Sequence, residues 1–328
     1  MQNLSQNSEN AMFGRVLDFI VLNVISISIS SILLLVFNVF DPKIAVFAGI
    51  AFAALIFSML NGDAVSVSNP VPIGVLRIGF LILFALIFRA DPYPWINGGQ
   101  DQGVYVSMSS YYQHGGDIFI EDNVLPHLIT DQAKNTYLGG RRKGGFHPGV
   151  YYGGERDYVF QFYHLHPLWM ANFAEFFGDN ARTYSVVFFG LLSIVFLSLL
   201  AFELSNSRFA ALAVGVMLAV NPLHVFFSKW PVTEIMALGF SSIAFYYLVR
   251  AYRLSKTSIP SRLALGFSCL SLTLLFFTRI TGFLYLPGLF LLFVVGVWLY
   301  RVKDERFGRD LVLFVPITIA TVSYTHLT

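Results

Sequence analysis

Apolar runs of membrane-spanning length recur along this chain, and they restrict its fold more than any other feature. A helical bilayer crossing takes about 20 mostly apolar residues, and backbone inside lipid must satisfy its own N–H and C=O groups. Nine stretches meet or approach that length: 17–40, 44–61, 73–90, 183–203, 209–228, 233–250, 262–278, 281–300 and 311–326. The 328 residues are 56% hydrophobic and 12% charged, against about 25% charged in a soluble domain. The fold class expected is therefore an all-α polytopic membrane protein of about nine transmembrane helices. A net charge of +2 without a basic tail or block argues against a nucleic-acid partner. Cys269, inside an apolar run, is the sole cysteine, so no internal disulfide can form. Met1 to Asn10 is short and polar, and no small-residue cleavage site follows the first run, which reads as a retained span.

Basic residues in short loops set orientation. Arg250, Arg253, Lys256 and Arg262 flank one loop, and Arg301, Lys303, Arg306 and Arg309 fill another. Placing both in the cytoplasm forces alternation back to a cytoplasmic N-terminus beside Arg15. The same alternation sends residues 91–181 outside, together with the turns at Lys229–Glu234 and Arg279–Gly282. The tight links S-N-S-R and R-I-T-G predict antiparallel helical hairpins. Pro222, Pro287 and Pro316 lie within spans and are expected to kink or open them.

The outer loop has its own pattern. Val104, Met108 and Tyr111 recur at helical spacing, predicting a short helix from Asp101 to Tyr112 on the membrane surface. Val150–Tyr152 and Tyr158–Tyr163 flank G-G-E-R-D, which predicts a small β-hairpin. A second interface helix is expected where Leu168, Trp169, Phe173, Phe176 and Phe177 make an amphipathic pattern, with Pro167 at its start and Gly178 at its end. Asp101 stands out because it places a carboxylate at the water interface, just beyond the end of an apolar run.

Four motifs, in this order and at these places, resemble the GT-C glycosyltransferases, in particular the protein mannosyltransferase and aminoarabinose transferase group. They are G-G-Q-D-Q-G-V-Y-V, Q-F-Y-H-L-H-P-L-W, N-P-L-H-V-F-F-S-K-W-P-V-T-E and T-R-I-T-G. The resemblance covers about residues 73–300. It implies a polyprenyl-phosphate-linked sugar as donor and an outer-loop acidic residue in catalysis, here Asp101. Where relatives often pair two acids, this chain has Gln102 after Asp101. On this reading residues 1–72 are an N-terminal tail and two spans, 73–300 a catalytic core that includes loop 91–181, and 301–328 a cytoplasmic loop with the start of a further span.

The chemistry of such a donor needs a base for the acceptor proton and cations for the departing phosphate, because a polyprenyl phosphate is already a good leaving group. Asp101 is the expected base, with direct displacement and inversion. Arg279 and Lys229 are the expected phosphate cations; Glu234, His164, His166 and Tyr105 complete the expected substrate contacts. Each also has a plainer reading: Asp101 as a helix cap, Glu234 as a complement to the helix dipole, Arg279 and Lys229 as snorkelling interface residues. No cofactor is demanded; a divalent metal is compatible with the chemistry, although His164 and His166 lack neighbours that would complete a ligand set. Arg141, Arg142 and Lys143 read as a solvated loop tip, Arg77 as a snorkelling residue, and Asp18 and Asn23 as pairing with neighbouring helices; His224 stays ambiguous. The resemblance implies a lipid, a polysaccharide or a protein as the expected acceptor, and the outward face of the bacterial cytoplasmic membrane as the expected location. The alternatives are a transporter or flippase of lipid-linked sugars and a non-catalytic assembly subunit. The terminal V-S-Y-T-H-L resembles a translated library adapter, so residues from about Val322 are expected to be foreign and the natural chain to continue.

Overall fold

The computed structural model describes residues 2–59, 74–93, 100–121, 127–137, 149–154, 157–255, 262–303 and 305–324. In order these form α1 (Gln2–Val36), α2 (Pro42–Met59), α3 (Val75–Ile87), α4 (Gln100–Gln113), β1 (Phe119–Glu121), α5 (Asp131–Tyr137), β2 (Val150–Gly154), β3 (Asp157–Phe160) and α6 (Leu165–Phe177). Then follow α7 (Tyr184–Ser205), α8 (Arg208–Val220), α9 (Pro222–Lys229), α10 (Glu234–Ser255), α11 (Arg262–Phe276), α12 (Leu286–Lys303) and α13 (Arg306–Tyr324). Among the described residues five helical stretches are long and apolar enough to cross a membrane, or six if α8 and α9 are one span bent by 59°. This is an all-α membrane protein. The expected nine crossings are reached only if α3 and α11, which are shorter, and the charge-led α13 cross as well.

The bend between α8 and α9 has a local cause. Asn221 caps α9 by accepting from the His224 N–H at 2.9 Å, and Pro222 occupies the first helical turn. The carbonyls at the end of α8 thereby lose their helical partners. Arg89, fully buried, supplies replacements: its Nη1 donates to Ala219 O at 2.9 Å and its Nη2 to Leu218 O at 3.2 Å. The same guanidinium meets His224 Nδ1 at 2.8 Å, and His224 Nε2 meets Ser193 Oγ at 2.9 Å. His224 is thus part of the brace that holds the broken span. Pro287, like Pro222, sits in the first turn of its helix, α12, where no ladder bond is lost; of the three only Pro316 is interior, in α13.

Charge is not confined to the outer rim. At the opposite end of the bundle, Glu203 beside the S-N-S-R link pairs with Arg250 at 3.3 Å and Arg253 at 3.1 Å. Asp310 pairs with Arg262 at 3.1 Å. Asp18 accepts a 2.6 Å hydrogen bond from Tyr247, tying α1 to α10, whereas Asn23 bonds its own helix at Phe19 O. The charged residues at these two loops therefore also cross-link α7, α10, α11 and α13. Arg77 is exposed.

The outer loop folds onto the bundle rather than lying on a surface. α6 is buried from Leu165 to Asn172 and again at Ala174; only Phe176 and Phe177, at its end, are exposed. It packs on α1, α2, α4 and α7, with Trp169 donating to Ser28 Oγ at 2.9 Å and Asn172 to Ser31 Oγ at 3.2 Å. A helix apolar over nearly all its faces belongs inside, not along an interface. Gly178 ends it at φ 89, a conformation that favours glycine. α4 is likewise buried at Val104, Tyr105, Val106, Met108 and Tyr112. The predicted hairpin is β2 and β3, antiparallel, and β1 adds a third strand in the order β1-β3-β2. The hairpin's turn residues 155–156, the basic cluster Arg141, Arg142 and Lys143, Lys256 and residues 325–328 lie outside the described residues.

Candidate active site

Three segments far apart in sequence meet at one end of the bundle. α4 brings Asp101 and Tyr105, the turn into α10 brings Val232, Thr233 and Glu234, and the link after α11 brings Arg279 and Ile280. With Gln161, Phe162 and Tyr163 they line a cavity of about 280 Å³. Four expected site residues, Asp101, Tyr105, Glu234 and Arg279, therefore share one pocket wall.

Each wall is held by contacts outside the cavity. Arg182, at the approach to α7, clamps α4 by donating to Ser109 Oγ at 2.6 Å and Gln113 Oε1 at 2.7 Å, and it pairs with Asp179 at 3.0 Å. Leu165 N donates to Phe277 O at 3.2 Å, joining α6 to the end of α11. Tyr93 N donates to Lys229 O at 3.0 Å, tying the end of the α3 segment to α9.

Inside the cavity Arg279 and Glu234 form a 2.5 Å ion pair, each about a third exposed (32% and 36%). Asp101 is exposed toward solvent. Asp101 lines the same cavity as this ion pair, and Tyr105 feels the charges of all three groups. Burial pushes the Tyr105 phenol up to about 12, a Thr233 hydrogen bond opposes this, and the Asp101 and Glu234 charges add to the rise. Tyr105 is accordingly a neutral hydroxyl at any ordinary pH.

Three expected contacts are not on the cavity wall. Lys229 directs its Nζ over the Tyr93 ring at 5.0 Å, in an aromatic cluster with Trp230. His164 is engaged with the Tyr112 hydroxyl through Nδ1 at 2.6 Å, and burial lowers its pKa to about 4. His166 is buried behind Tyr105, ring edge to ring face at 5.1 Å, and burial lowers its pKa to about 3, against a hydrogen bond to the Pro231 carbonyl. Lys229 and His164 each have a partner within the fold, whereas His166 is held away from the cleft by burial behind the Tyr105 ring. Among the described residues no group of three or more His, Cys, Asp or Glu side chains gathers as metal ligands.

The sequence reading missed Gln161, Phe162 and Tyr163. Their signal lay in the quoted motif Q-F-Y-H-L-H-P-L-W, where attention went to the histidines. It missed Arg89 as well, which reads in sequence as a residue at the end of an apolar run.

Residues 166–322 match the family model described as dolichyl-phosphate-mannose-protein mannosyltransferase. The matched stretch, just under half of the chain, is similar to the GT-C glycosyltransferases. The GT-C match takes in Glu234 and Arg279 and begins at His166, so Asp101, Tyr105 and the Gln161–Tyr163 wall precede it. No curated protein and no solved structure matches the chain. The family implies a membrane glycosyltransferase that draws on a polyprenyl-phosphate sugar.

Proposed function

We propose that this chain transfers a sugar from a polyprenyl-phosphate donor to an acceptor hydroxyl or amine at the outer face of the bacterial cytoplasmic membrane. Residues 73–300 form the catalytic core of this reading, and Asp101 is its general base. The single observation that carries it is the convergence of Asp101, Glu234 and Arg279 on one cavity at the outer ends of the spans. A lipid-linked phosphate enters such a place from the bilayer with its charged end at the rim.

In the proposed step the Asp101 carboxylate takes the acceptor proton as the acceptor atom bonds to the anomeric carbon. The bond from that carbon to the phosphate oxygen breaks, its electron pair leaves with the phosphate, and the anomeric centre inverts. Arg279 stabilises the departing phosphate by charge-assisted hydrogen bonds, and Glu234 holds the guanidinium in place through their ion pair. Lys229, stacked over Tyr93, has no part in this step.

Asp101→Asn tests the reading, since the amide keeps the shape and removes the base. Loss of a general base costs about 10²–10⁴-fold in rate, and with Asp101 exposed the variant should insert and melt like the parent. Turnover within a few-fold of the parent, measured with a labelled polyprenyl-phosphate sugar, would remove Asp101 from catalysis. The same assay separates a transferase from a flippase, which moves its lipid without cleaving it, and from an inactive assembly subunit.

A further inference from the structure

The cavity is lined by two chemically different sets of residues. One set is Asp101, Glu234 and Arg279, the charged groups of the proposed transfer. The other is a short strap, Gln161, Phe162 and Tyr163, that leaves β3 at Phe160 and enters α6 at Leu165. The strap brings an amide, a benzyl ring and a phenol, all without formal charge.

This strap is fixed at both ends. Gln161 N donates to Gly149 O at 2.9 Å. Gly149 itself sits at φ 85 against Val104 of α4, where a Cβ would come within 2.3 Å of the valine side chain. Beyond the strap, His164 meets the Tyr112 hydroxyl at 2.6 Å and Leu165 N bonds Phe277 O at 3.2 Å. Phe162 packs on Tyr105 with ring centroids 4.8 Å apart, so its ring is braced against α4. Gln161 is exposed, and its side chain makes no hydrogen bond among the described residues. Burial raises the Tyr163 pKa, keeping the phenol protonated and able to donate.

A sugar ring has one apolar C–H surface and a rim of hydroxyls that both donate and accept. An anchored aromatic ring beside a neutral amide and a neutral phenol matches that pattern, whereas the charged residues of the cavity match phosphate and the acceptor proton. We infer that Gln161, Phe162 and Tyr163 form the sugar-recognition strap of this site and set which sugar is transferred. The inference rests on the glycosyl-transfer reading above and adds to it the residues that choose the sugar. Phe162 supports the ring face; Gln161 reads hydroxyl configuration by hydrogen bonding.

The test uses the full chain in lipid nanodiscs with polyprenyl-phosphate hexoses that differ only in configuration at C2 or C4. Sugar-free polyprenyl phosphate serves as a probe of the phosphate side. Gln161→Ala should cut kcat/KM for the preferred hexose by about tenfold, the scale of one neutral hydrogen bond, while its epimers lose less, so the preference narrows. Phe162→Leu should raise the donor KM by about the same factor with kcat little changed, as expected when uniform binding is lost. Both variants should bind sugar-free polyprenyl phosphate like the parent. Unchanged epimer ratios in Gln161→Ala, or equal weakening of sugar-free polyprenyl phosphate, would overturn the strap while leaving sugar transfer standing. A parent chain that transfers sugar from none of these donors, nor from the matching polyprenyl-phosphate pentoses, would overturn both.

Discussion

Replacing Arg279 by Ala separates a catalytic cation from an ordinary interface residue. In the fold its visible partner is Glu234, at 2.5 Å, with the two side chains 32% and 36% exposed. An ion pair that open to solvent contributes about 0–1 kcal/mol to stability, so the variant should melt close to the parent. Binding a phosphate is another matter. A hydrogen bond to a charged group is worth about 1.5–3 kcal/mol, and at about 1.4 kcal/mol per decade that is roughly 10- to 150-fold in kcat/KM. The two figures differ enough to be told apart in one protein preparation. The assay is initial transfer rate against donor concentration, paired with thermal unfolding of the same sample. Arg279→Lys should recover part of the loss, because the point charge remains and the planar fork does not. A kcat/KM within twofold of the parent, or a loss that follows a lowered melting temperature, would refute the phosphate role.

Lys229→Ala should leave donor dependence unchanged, because Lys229 Nζ lies over the Tyr93 ring and not on the cavity wall; a donor KM raised tenfold would show otherwise. The buried His166 resists protonation, with its pKa lowered to about 3 from an ordinary 6.5. The unfolded chain takes up that proton below pH 6.5, so the stability His166 contributes is complete above pH 6.5 and falls as pH drops toward 3. His166→Phe should flatten this acid-side slope in unfolding measured against pH, and a slope unchanged from the parent would count against it. At the crossing of α1 and α2, a Cβ on Gly49 would come within 2.6 Å of the Ile27 Cα. Gly49→Ala should therefore cost about 1–3 kcal/mol, the scale of overpacking, read as a lowered unfolding midpoint.

Asp101, Glu234 and Arg279 were each legible as site candidates because rim charge is rare in so apolar a chain, and because orientation follows from where Arg and Lys fall. Their sharing of one outer face could be argued from alternation alone. Which neighbour each would choose could not. Lys229 looked as good a phosphate cation as Arg279, yet the Tyr93 ring, 136 positions earlier, takes it. His164 and His166 looked like cleft residues, but Tyr112 and the Pro231 carbonyl engage them inside the fold. The strap at Gln161–Tyr163 was hidden for the converse reason: amide, benzyl and phenol groups are unremarkable until a cavity opens beside them.

Period and charge along the chain determined that this is a helical membrane protein, where its helices run and which ends share a side, because lipid admits few backbone solutions. Contacts between distant segments decided the rest. The bend after α8 is bridged by Arg89, just beyond the end of α3, α6 is engulfed by four helices, and the cavity exists only where α4, the strap, the α10 turn and the α11 link close on one another. Those outcomes depend on competition among buried partners, which has no signature at short range in a sequence.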